Sequence, residues 1–221
     1  MTDTTQARDF RPSGDDHGVA GSAAVRSSAP FRSADVAALD ALRVPCGVGG
    51  LVLLGPTTTP LAGIDELLAS PDVEAVETEG GRLNSWITSP DEVLIATRAA
   101  SSIIRSGRTA VVHLDSHCDG GAPAVSDEDC EFVCCRLGRI MLGLADEPAF
   151  IAVLGQEMAL GLFDAVAEPE FSALGVIAGD SAVVELSPRS MFPEVPVSVT
   201  PVNRSAVAVG QAVEWFEAHR G

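Results

Sequence analysis

Apolar and polar positions along this chain alternate between the periods of strands and helices. GGLVLLG (49–55) is an unbroken apolar run of strand length ended by Gly-Pro, AGIDELLAS (62–70) spaces its apolar residues as a helix does, and VEAVE (73–77) reads as a further strand. The best-marked helix lies in SPDEVLIATRAASSIIRSG: Ser89 stands as N-cap, Pro90 at the first helical position, Glu92 at the capping-box position and Gly107 as terminator. TAVVHL (109–114) is a β-branched run of strand length. AFIAVLG (149–155) and SAVVELS (181–187) read as strands, and QEMALGLFDAVA (156–167) and RSAVAVGQAVEWFEAHR (204–220) as helices.

The succession of helix, strand and polar loop predicts an α/β domain of three layers, an open and mostly parallel sheet flanked by helices. Residues 1–33 have no periodic apolar face and are rich in Asp, Ser, Gly and Pro, so they are expected as a flexible N-terminal arm, with 34–221 as one domain. A chain of 221 residues with 46% hydrophobic content is long enough to bury one substantial core.

Charge narrows the partners. Acidic residues number 31 against 14 basic ones, every basic residue is Arg, and the net charge is −17. Such a chain repels phosphate backbones and anionic membrane surfaces, so neither nucleic acid nor membrane is expected as a partner. No apolar run reaches the roughly 20 residues of a membrane span, and the first 30 residues hold no hydrophobic core segment, which makes the cytoplasm the expected location. Cys46, Cys118, Cys130, Cys134 and Cys135 are odd in number and include an adjacent pair, a pattern of reduced thiols rather than a disulfide framework.

The candidate chemistry sits where the strand TAVVHL ends. In an open α/β sheet, ligands gather outside the carboxyl ends of the parallel strands. There Asp115, His117 and Asp119 are spaced two apart, so an extended segment would set them on one face and offer two carboxylates and an imidazole to a divalent cation such as manganese. Equally, Asp115 and Asp119 could cap turns around a surface imidazole. His117, Cys118, Cys130, Cys134 and Cys135 form a weaker alternative, a structural zinc or thiol centre.

VVHLDSHCD (111–119) resembles the nine-residue signature of the ureohydrolases, the arginase and agmatinase family. The resemblance implies an arginase-like fold and makes Asp115, His117 and Asp119 ligands of one or two Mn2+ ions, with Asp119 essential to catalysis. In GGRLNSWIT (80–88), Asn84 stands where the family has a ligating His. LFDAVAEPEF (162–171) keeps Asp164 as a further ligand but has Val166 in place of the second Asp. VVELSP (183–188) is similar to the element whose Glu meets the substrate guanidinium, here Glu185, which in another register would be a metal ligand instead. The implied activity is hydrolysis of a C–N bond in a guanidino or amidine compound by metal-bound hydroxide. The missing ligands, and the lack of any His between 118 and 218, also admit a degenerate family member acting as a partner or regulatory subunit. A homo-oligomer, or a hetero-oligomer with an intact homologue, is the expected assembly.

Overall fold

A computed structural model describes residues 39, 41–57, 61–115, 125–126, 129–167, 171–186, 190–201 and 205–221. Contacts divide the chain into Met1–Pro30 and Phe31–Gly221. The first unit, and with it most of the expected N-terminal arm, lies outside the described residues.

The core is a seven-stranded sheet. Its strands are β1 (Leu51–Leu54), β2 (Val73–Thr78), β3 (Thr109–Leu114), β4 (Ile151–Leu154), β5 (Phe171–Ile177), β6 (Ser181–Leu186) and β7 (Val197–Thr200). They lie side by side in the order β2-β3-β1-β4-β7-β6-β5. The first five run parallel, while β6 is antiparallel to both β7 and β5. The central strands β1, β3 and β4 are buried at every position, as parallel strands covered on both faces must be.

Helices α1 (Ile64–Leu68), α2 (Gly80–Leu83), α3 (Ser89–Arg105), α4 (Cys130–Gly138), α5 (Gln156–Ala165) and α6 (Ala206–Ala218) cover the sheet. Alternate residues of each central strand enter two separate cores, which fixes the layers. Leu51, Leu53, Val112 and Val153 pack with α3, α4 and α5; Val52, Leu54, Val111 and Ala152 pack with α1 and α6. The expected three-layer, mostly parallel α/β architecture is therefore present.

Two local expectations about α3 come out differently. Its C-terminus follows the sequence: Gly107 adopts φ +84°, and the amides of Gly107 and Arg108 return to the carbonyls of Ile104 and Ile103 at 3.0 and 3.3 Å. At the N-terminus, Thr88 rather than Ser89 precedes the first helical residue, and Glu92 makes no capping box. The buried Glu92 carboxylate instead accepts the Glu79 amide at 3.0 Å and Arg82 Nε at 2.8 Å. It ties α2 to α3, a tertiary use of a residue whose local spacing spelled a cap.

Candidate functional site at the carboxyl edge of the sheet

The carboxyl ends of the parallel strands gather at one edge. After β1 the chain passes to α1 on one face, whereas after β3 and β4 it passes to α4 and α5 on the other. Neighbouring strands whose continuations part in this way leave a crevice between them. Gly55 and Pro56 from β1, Asp115 from β3 and Gly155 from β4 border it, as does Thr200 of β7, whose carbonyl accepts the Gly155 amide at 2.8 Å. Residues 58–60, 116–124 and 202–204, which follow β1, β3 and β7, lie outside the described set.

Asp115 is placed by the sheet itself. Its amide donates to the Thr78 carbonyl at 2.9 Å, extending the β2–β3 pairing by one step, and its Oδ1 accepts the Gly80 amide of α2 at 3.4 Å. The carboxylate thus serves a free amide at the start of a helix, a turn-capping contact between residues 35 apart in sequence. His117 and Asp119 fall outside the described residues, and with them Cys118.

The other described residues of the expected site have these partners and places. Asn84 ends α2 and hydrogen-bonds Asp129; together with the 2.6 Å bond from Ser126 Oγ, the larger influence, it holds the Asp129 carboxyl below its ordinary range. Asp164 is exposed on α5 beside Cys135 Sγ at 3.9 Å. Glu185 lies exposed on β6, opposite Ser172 of β5 and just past the pair Val184–Val197 that opens β7. Because β6 runs against β7, this is the amino edge of the parallel strands, opposite to Asp115. Four strand spacings also separate β6 from β3, roughly 19 Å at 4.8 Å each.

No group of three or more His, Cys, Asp or Glu side chains among the described residues is arranged to hold a metal ion. The thiols of α4 do not form one. The Cys134 thiol, hydrogen-bonded to Cys130 and buried, is pushed far up, and burial followed by the nearby Asp164 charge raises that of Cys135. Both shifts favour the protonated thiol.

Sequence reasoning passed over the cation of this region. Arg136 on α4 is covered, at 9% exposure, and its guanidinium carbon sits 5.0 Å from the ring centre of Trp86 and 4.6 Å from that of Phe132. The two rings meet at 4.8 Å with a tilt of 51°. The signal available in the sequence was Phe132 four residues before Arg136, a pair that helical geometry brings together.

Neither a protein-family model nor a curated protein matches the chain. Solved structures do. A DUF1537 protein from Bordetella bronchiseptica, described as a domain-swapped dimer with bound citrate, superposes with a TM-score of 0.61 at 15% identity, covering 80% of this chain and 43% of that one. A putative tRNA synthase from Salmonella typhimurium LT2 gives 0.54 at 12% identity, with 76% and 40% covered. A Haemophilus influenzae protein of the DUF1537 family gives 0.53 at 8%, with 80% and 41% covered. The chain thus spans less than half the length of each of these proteins.

These likenesses establish the fold, and they correct the ureohydrolase resemblance. The neighbours are DUF1537 proteins rather than ureohydrolases, so the arginase-like refinement, guanidino hydrolysis by metal-bound hydroxide and the degenerate-ureohydrolase alternative are all set aside. The reason is physical. An aliphatic run ending in small and acidic residues is common where a buried parallel strand reaches the carboxyl edge, so such a match can follow the architecture as well as a metal site. No helix among the described residues is long and apolar enough to cross a membrane.

Proposed function

We propose that this domain binds a small polyoxygenated anion, of the size and charge of a di- or tricarboxylate, in the crevice that β1 forms with β3 and β4. The observation that carries the reading is the parting of the chain to opposite faces after β1 and after β3 and β4, a switch point at the edge where such folds take ligands. The citrate described for the Bordetella bronchiseptica relative supports that class of ligand. That relative's dimer likewise supports self-association of this chain, and the outer strand β5, FSALGVI, offers an uncharged edge for it.

Calorimetric titration of citrate into the full chain at low ionic strength tests the binding. Saturable binding of one citrate per chain, with a dissociation constant below about 1 mM, is expected. Heats that stay at the level of dilution at several millimolar citrate would remove the proposal.

A further inference from the structure

A chain with net charge −17 holds an anion only if a cation stands locally against the overall field. Half of the described arginines have met acids: Arg82 pairs with Glu92, Arg105 with Asp146, Arg108 with Glu74 and Arg220 with Glu217. Arg98 and Arg139 are exposed, and Arg43 donates to the Leu42 carbonyl. Arg136 differs from all of these, being covered while no described carboxylate pairs with it.

Covering most of an arginine with no acid from the described residues beside it is costly, and contact with aromatic rings offsets only part of that cost. The burial that lowers its proton affinity, aided by the neighbouring Arg139 charge, leaves a group that remains protonated at any physiological pH. Its cover is thin: the Trp86 ring that lies against it is itself 76% exposed. The cation therefore sits one side chain below the surface.

Its place in the fold is also informative. Trp86 lies two residues past Asn84, the C-cap of α2, and α2 begins at Gly80, the amide held by Asp115. A four-residue helix is about 6 Å long, so the cluster of Trp86, Phe132 and Arg136 includes a residue of the short segment that Asp115 holds at its start. Asp129 and Ser126, which lead into α4, contact the same short helix through Asn84.

We infer that Arg136, packed against the touching rings of Trp86 and Phe132, is an oxyanion subsite that takes a carboxylate or phosphate group of a small molecule on the edge of its guanidinium. Ring centres 4.8 Å apart, and 5.0 and 4.6 Å from the guanidinium carbon, put both rings on one side of the group, where they steady it, while an N–H edge of the fork would match two oxygens of one anionic group. This subsite rests on the anion-binding reading above insofar as it supplies that ligand's counter-charge, but its own chemistry is open to direct test.

The test uses Trp86 as reporter. The full chain carrying Trp215→Phe, a change that keeps an aromatic ring beside His219, is titrated separately with inorganic phosphate and with citrate while Trp86 emission is followed. A saturable emission change is expected with at least one probe, together with a loss of affinity of tenfold or more in Arg136→Gln whose circular dichroism matches the parent. If Arg136→Gln does not fold, Arg136→Lys carries the test, since it keeps charge and stem but loses the fork; weakening of threefold or more is then expected.

Citrate binding by calorimetry that is unchanged in the Arg136 variant would overturn the subsite and leave the crevice reading standing. An Arg136-dependent response to phosphate, with no citrate binding at all, would keep the subsite and remove the tricarboxylate ligand. No Trp86 response to either anion, with affinities indifferent to Arg136, would overturn the inference outright.

Discussion

Phe150→Ala is expected to lower the unfolding free energy by about 3–5 kcal/mol, the range for removing a large aromatic side chain from a close-packed core. Phe150 is fully buried, immediately before β4, and its ring stacks on Phe216 of α6 with centroids 4.6 Å apart. It belongs to the smaller of the two cores, where α1 and α6 are the covering helices, so few neighbouring side chains are placed to fill the gap. Its own carbonyl accepts the Leu51 amide at 2.9 Å, which pins the backbone and limits collapse into the cavity. Chemical denaturation of wild type and variant measures the difference, and thermal melts should show a fall of roughly 10 °C for a domain of this size. A loss below about 1 kcal/mol would mean that the core relaxes far more than close packing allows.

Gly161→Ala sets two magnitudes against each other. Helix propensity alone favours Ala over Gly inside α5 by about 1 kcal/mol. Yet a Cβ at Gly161 would fall 2.5 Å from the Cys134 carbonyl carbon, and one at Gly138 would fall 2.5 Å from the Gly161 carbonyl oxygen. Both obstacles are backbone, so the α4 and α5 axes must separate. Overpacking of this kind costs roughly 1–3 kcal/mol and sometimes more, and we expect it to prevail, giving net destabilisation on denaturation. Because α4 carries Arg136, the same shift should weaken anion binding severalfold. Increased stability in Gly161→Ala would show that propensity wins and that the helices are not in backbone contact.

Five strands were legible in the sequence: β2 and β6 from the runs VEAVE and SAVVELS, and β1, β3 and β4 because they are buried on both faces. LVLL, TAVVHL and IAVL are continuous apolar runs because the sheet is covered above and below, and α3 was legible from Pro90 and Gly107. What escaped lacks that redundancy. β7 is only four residues long, VSVT, and gains its order from pairing with β4 and β6. β5 is exposed along most of its length, and its register shifts between Ala173 and Gly175, which breaks the alternation that marks a strand. In α4 the buried positions Val133, Cys134 and Leu137 have helical spacing, but cysteines stand where aliphatics would signal a core face.

The candidate site was legible in place rather than in chemistry. The strand end at Asp115 is at the carboxyl edge, as the alternation of elements implied. The partners of its residues are another matter: Gly80 meets Asp115 across 35 residues, and Trp86 meets Arg136 across 50. Contacts set by sheet order leave no local period in the chain. Glu185 illustrates the converse, since a strand-like context for an acid says nothing about which edge of the sheet it reaches until the direction of β6 is known.

The central claim, an anion site at the carboxyl edge, is tested most directly by amide hydrogen exchange of the full chain with and without saturating citrate. The account predicts added protection in the segments that leave β1, β3 and β4 at that edge, 55–64, 115–132 and 155–160, with Trp86 and its neighbours following if Arg136 supplies the counter-charge. Protection confined to the amino edge around Glu185, or no change anywhere under saturating citrate, would contradict it.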